Sequence, residues 1–208
     1  MISVSACTTP LPNLSPDGGT DANDPDASEA TQLVFEFAAA PEIPLVAEGP
    51  FNVQLDGVHL ELENARALGD AGVTTPSLLS LDWNDVLIPP PYIIRGAAPG
   101  LYSQLRATVL SYELYGTVLV GGTRVPFEIL DSPPSFTLEM ELVNCVVQAG
   151  EAKLTPIVFD SEEIIEAIVW GDVVPDSDGV LRIDANDPEL IALVRSRLEE
   201  SFEYDPED

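Results

Sequence analysis

Phe136-Thr137-Leu138-Glu139-Met140-Glu141-Leu142 alternates apolar and polar side chains without a break. Successive side chains of a strand point to opposite faces, so this spacing predicts a strand with one face in a core and the other in water. The same texture continues on both sides of it. Upstream, Leu33, Phe35 and Phe37 alternate with Val34 and Glu36, and Phe51, Val53 and Leu55 alternate with polar residues. Val58, Leu60 and Leu62 then resume in the opposite phase across Asp56-Gly57. A two-residue Asp-Gly between alternating runs predicts a hairpin; a bulge at Gly57 within one long strand would shift the phase equally well. Residues 78–83 read as a short strand, and 102–115 as a long β-rich run that Gly121-Gly122 turns toward a strand over 124–130. Pro89-Pro90-Pro91 exclude a central strand over 87–92, because proline has no N–H to give to a ladder. Residues 154–159 form the next strand. Many short strands separated by turn signals predict a mostly β fold, an antiparallel β-sandwich.

The C-terminal region changes period. Asp160 is placed to cap a helix over 160–170 with Ile164, Ile165, Ile168 and Val169 on one side, and Gly171 to end it. A turn at Asp176-Ser177-Asp178-Gly179 leads into an extended stretch over 180–183. Asp187 then precedes Pro188, which suits the first position of a second helix over 188–203. Its apolar stripe is Leu190, Ile191, Val194, Leu198 and Phe202. The expected architecture is therefore a single β-sandwich domain over 32–208 with C-terminal helical elements.

The chain has 36 acidic and 8 basic residues, a formal net charge of −28. The excess is greatest over residues 160–208, where 16 acids face three bases. Such a surface repels phosphate backbones, which excludes nucleic acid as a partner, and it repels anionic membranes. It suits cations, basic partners or high salt, where screening removes the self-repulsion. Apolar residues make up 45% of the chain, enough for a core. No run reaches the ~18–20 apolar residues of a spanning helix, so membrane attachment has to come from a lipid.

Val4-Ser5-Ala6-Cys7 has the form of a bacterial lipobox, with small residues before a cysteine that becomes the lipidated N-terminus. Residues 8–31 follow as an acidic, Pro-rich stretch with five acids and no base, the composition of a tether. Met1-Ile2-Ser3 supplies neither the basic nor the apolar part of a signal peptide. The expectation is that the signal continues upstream of Met1, or that the chain was cut close to the cleavage site. Residues 1–7 are then the remnant of a lipoprotein signal. Thr8 in place of Asp points to the outer membrane as the destination. With Cys7 lipidated, Cys145 is the one remaining cysteine and reads as a small buried apolar residue.

Pro99-Gly100-Leu101-Tyr102-Ser103-Gln104-Leu105-Arg106 resembles the Pro-Ala-Gly-x-Tyr-x-x-Ile/Leu-Arg motif of a family of prokaryotic lipoproteins of unknown function, without the Ala. The resemblance implies a transthyretin-like or carbohydrate-binding-like β-sandwich on a lipid tether and transfers no catalytic residue.

Candidate chemistry is sparse. His59 is the single histidine, no nucleophile elbow accompanies it, and zinc or copper needs more His or Cys ligands than the chain has. The acids form too many pairs for any one to single out a glycosidase site. Asp176 and Asp178, with Asp184 nearby, offer the oxygen ligands that calcium prefers. As loop positions 3 and 5 they would place Val174 at position 1 and Ala185 at position 12, so a plain turn followed by a helix cap competes with the calcium reading. Trp83 and Trp170 could stack on sugar rings, and core positions suit them as well. The expectation is a non-enzymatic, lipid-anchored cell-envelope domain of unknown activity, a binding or structural surface module with an extracellular glycan or protein as partner. A calcium-dependent polysaccharide- or protein-binding domain is second, and a hydrolase third.

Overall fold

The computed structural model describes residues 31–132 and 136–204; the expected lipobox at 1–7 and most of the 8–31 tether lie outside the described residues. Strand makes up 57% of the structure and helix 12%, in two sheets, so the fold is mostly β, as expected. The strands are β1 (Gln32–Ala39), β2 (Leu45–Ala47), β3 (Val53–Gly69), β4 (Gly72–Val73), β5 (Ser77–Asn84) and β6 (Tyr92–Arg95). They continue with β7 (Gly100–Val120), β8 (Thr123–Asp131), β9 (Phe136–Val147), β10 (Ala152–Phe159), β11 (Leu181–Ile183) and β12 (Phe202–Tyr204). Two helices, α1 (Glu162–Glu166) and α2 (Pro188–Glu200), lie near the C-terminus.

The large sheet is built on the antiparallel pair β3 and β7. β7 is 21 residues long and takes β9 along its first half and β8 along its second. β3 carries β2, β5 and β4 in turn on its other edge. The small sheet runs β12-β10-β1-β6. Its apolar face meets the large sheet, where Trp83 of β5 stacks on Phe159 of β10 with ring centroids 4.9 Å apart. Phe159 in turn contacts Phe202 at 4.9 Å.

Among the described residues pairing is antiparallel with two exceptions. β1 runs parallel to β10, and β8 parallel to β11. Both exceptions join segments far apart in sequence, which local alternation cannot report.

Asp56-Gly57 lies within a single strand. The register of β3 on β7 steps from Leu55↔Gly116 to Gly57↔Tyr115, leaving Asp56 as the extra residue of a bulge, so the hairpin alternative does not occur. β9 does the same at Val143 and Asn144, both exposed, with Asn144 at φ 54°, and burial passes from Leu142 to Cys145 and Val147.

The helices are shorter than 160–170 and 188–203. α1 covers only Glu162–Glu166, and a separate 3₁₀ turn, Trp170–Asp172, holds Gly171. Asp160 accepts from the Glu162 N–H at 2.9 Å, but Ser161 occupies the cap position. α2 buries Ile191, Val194 and Leu198 as expected and stops at Glu200. Phe202 belongs instead to β12, because its edge of the sheet supplies hydrogen bonds that a further helical turn would forgo. The Asp187 side chain makes no cap bond. The turn before α2 is tied by Asp184, whose Oδ1 accepts from the Asn186 backbone N–H at 2.7 Å.

Candidate functional site

Asp176 and Asp178 come together around a guanidinium. Arg182 of β11 donates to Glu128 Oε2 at 2.9 Å through Nε, to Asp178 at 3.1 Å through Nη2, and to Asp176 through Nη1. Asp176 Oδ1 also accepts from the backbone N–H groups of Asp178 and Val180, at 3.2 and 3.3 Å. Hydrogen bonding with Asp176, and next the Arg182 fork, holds the Asp178 carboxyl down at about 2. Asp184, the residue after β11, instead accepts from both the backbone and the side-chain N–H groups of Asn186. Among the described residues, no group of three or more His, Cys, Asp or Glu side chains is arranged to hold a metal ion.

Arg182 thus offsets one of the three carboxylate charges gathered at this turn and sits between Asp176 and Asp178. Stability is expected to rise with sodium chloride as screening relieves the repulsion of net −28. Calcium and magnesium at matched ionic strength are expected to shift the melt equally. A calcium-specific shift that disappears in Asp178→Ala would overturn this and identify an ion site at Asp176–Asp178.

The other singled-out residues have structural surroundings. His59 lies on the water-facing side of β3, with Nδ1 2.5 Å from Asp82 across the ladder. Cys145 is fully buried, with Sγ 3.4 Å from the Thr155 hydroxyl. Trp170 is a core side chain whose Nε1–H donates to the Ile165 carbonyl at 3.0 Å. Tyr102, from the motif, closes its own turn by donating to the Ala98 carbonyl at 3.1 Å.

A different region has the shape of a binding site. Between β5 and β6 the chain reads Asp85-Val86-Leu87-Ile88-Pro89-Pro90-Pro91. Val86 and Ile88 are each 80% exposed and Leu87 50%. Water-exposed aliphatics in such a run are unfavourable, yet the loop is fixed in place. Asn84 Oδ1 accepts from the N–H groups of Val86 and Leu87 at 2.9 Å each, and Asn84 N–H donates to the Leu87 carbonyl at 3.1 Å. The three prolines then fix φ over the following residues.

Grooves flank this loop on both sides. One, of about 360 Å³, is lined by Ala39, Glu42, Ile43, Trp83 and Asp85 among others. The second, of about 540 Å³, runs over Glu36, Pro91, Leu154, Pro156 and Val158. Ala38 of β1 and Ile88 of the loop line both. Trp83 is 3% exposed, and its indole N–H has no hydrogen-bond partner among the described residues. No family model, curated protein or solved structure matches this chain. The site therefore has to be read from its own chemistry: aliphatic walls, carboxylates at the rim, and one buried donor without an acceptor. Nothing in it resembles a nucleophile with its base. The sequence carried a signal for this site in the apolar triplet before the prolines, which reads in isolation only as a stretch unfit for a central strand.

A third groove, of about 400 Å³, lies between the β2–β3 turn and the α1 region, with Phe51, Ile165, Val169 and Trp170 in its walls. Phe51 packs against Gly171, where an added Cβ would approach the ring to 3.1 Å. This contact docks the 3₁₀ turn onto the sheet.

Proposed function

We propose that the chain is an exported, lipid-anchored cell-envelope domain, held at the outer membrane through Cys7, that acts by binding a protein partner without catalysis. The observation that carries the binding reading is the fixed, exposed apolar loop at Val86–Ile88 on a surface otherwise rich in carboxylates. Exposed aliphatics held rigid by prolines and an asparagine turn suit a contact surface, since little ordering remains to oppose association. The anchor rests on Val4-Ser5-Ala6-Cys7 and the acidic stretch after it, which ends where β1 begins at Gln32. A tether of that composition holds the domain clear of the bilayer while confining it to the envelope.

Expression behind a functional signal peptide in a bacterium is expected to yield diacylglycerol-modified Cys7. Mass spectrometry of the N-terminal peptide reads the modification directly. Cys7→Ser should move the protein from the membrane to the soluble fraction. An exported chain with unmodified Cys7 would remove the anchor from the proposal.

A further inference from the structure

We infer that the gap beside the second half of β1 takes an extended segment of another protein, alternating apolar with basic residues, as an added strand of the small sheet. This rests on the reading of the domain as a binding module and names the partner's chemistry. β6 covers β1 only from Gln32 to Phe35. The chain leading into β6 is Pro89-Pro90-Pro91, which has no N–H groups to continue the ladder and accepts no backbone hydrogen bond from β1. The 84–87 turn is closed on itself through Asn84. Among the described residues, β1 therefore has no strand neighbour on this side along Glu36–Ala39.

The backbone presents the right groups there. Gln32 N–H and Ala40 N–H donate toward the β10 side, to Glu151 and Phe159 carbonyls at 3.0 Å each. Thr31, one residue out of phase, accepts from Gly96 on the β6 side at 2.8 Å. Strand alternation then turns the N–H and C=O of Phe37 and Ala39 toward the gap. An incoming strand would pair with these groups, and its alternate side chains would enter the two grooves that meet at Ala38 and Ile88. A carbonyl in the smaller groove would also give the Trp83 indole its missing acceptor.

Charge selects the occupant. Glu36, Glu42 and Asp85 line the grooves and form no salt bridge among the described residues. Arg106, Arg182, Arg195 and Arg197 are paired with acids elsewhere, and none of the other four bases lines either groove. A second copy would bring the same carboxylates against these, and an anionic bilayer would be repelled. Lysine or arginine between apolar residues complements the site.

Calorimetric titration of the full chain with a blocked decapeptide of alternating Val and Lys tests this. The Val-Lys peptide is expected to bind roughly tenfold or more tightly than the alternating Val-Glu peptide, and N-methylation at alternate residues should cost a similar factor. Ala39→Pro removes a gap-facing N–H without touching the β10 ladder, and should weaken binding comparably. The double change Glu36→Lys with Asp85→Lys leaves the backbone intact and should invert the preference toward Val-Glu. Equal affinity for the two peptides, indifference to N-methylation, or unchanged binding in both variants would overturn the inference. So would binding of acyl-free protein to phosphatidylethanolamine–phosphatidylglycerol vesicles in place of peptide, or self-association abolished by Ile88→Asp. Any of these failures leaves Cys7 acylation and export standing, because they are read separately.

Discussion

Arg195→Met is expected to destabilise the domain by about 3 kcal/mol, because it strands a buried carboxylate. Asp131, the last residue of β8, has only 4% of its side chain exposed. Arg195 of α2 meets it with a two-pronged contact, Nε to Oδ2 at 2.6 Å and Nη2 to Oδ1 at 3.0 Å. The Tyr112 hydroxyl is buried beside the pair without a hydrogen bond of its own. Burial first, then the Asp131 charge, raises the Tyr112 phenol above its ordinary range, so it stays neutral and offers no countercharge. Arg195 keeps 36% of its side chain in contact with water, and some rehydration of Asp131 through the vacated space holds the cost toward the lower end of the range for broken buried pairs. For a domain of this size the loss corresponds to roughly 6–12 °C in Tm. Asp131→Leu combined with Arg195→Met removes both charges and should recover most of that. Thermal and urea unfolding of the two variants decide it. A single variant within ~2 °C of the parent would mean that the carboxylate is already hydrated.

The ion pair was not legible in the sequence, and the reason is general. Asp131 and Arg195 are 64 positions apart, and no spacing rule connects a strand end to a helix face at that distance. Alternation, by contrast, is local physics, and it located β1, β3, β5, β7, β8, β9 and β10 from their own residues. Failures fell where the local signal is shared by two structures. Asp56-Gly57 serves a hairpin or a bulge equally. Phe202 continues the apolar stripe of α2 at helical spacing, yet the β10 edge takes it as β12.

The same limit governs the candidate sites. Asp176, Asp178 and Asp184 offer oxygen ligands, and oxygen-rich turns look alike in sequence. What distinguishes this one is Arg182, four residues beyond Asp178, which β11 brings back over the turn and toward Glu128 on the parallel neighbour β8. The apolar triplet Val86-Leu87-Ile88 was visible, but hydrophobicity alone predicts burial. Its exposure follows from the Asn84 turn and the three prolines, which hold the loop outside both sheets. A fixed apolar loop beside a strand edge that has no neighbour among the described residues is a tertiary fact, which no local pattern of side chains reports.

Gly116→Ala is expected to cost about 3 kcal/mol, and Gly57→Ala no more than about 1, although the two glycines sit at the same bulge. At Gly116 an added Cβ would lie 2.0 Å from the Gln54 carbonyl oxygen and 3.0 Å from Leu55 Cα. Both atoms belong to the backbone of β3, so no side-chain rotation relieves the clash. The strands would have to separate where the Asp56 bulge has drawn them together, in the pair that forms the spine of the large sheet. At Gly57 the added Cβ would meet Tyr115, with the hydroxyl at 2.3 Å and ring carbons at 2.4 and 2.7 Å. Tyr115 is 36% exposed, and its ring can swing into water at the loss of its cover over the glycine. The phase shift of β3 therefore depends on a missing side chain in its partner strand more than on the glycine within the bulge itself. Urea unfolding of the two variants measures the difference. Equal losses would mean that β3 shifts as a body to admit either methyl group, and that Gly116 does not set the register.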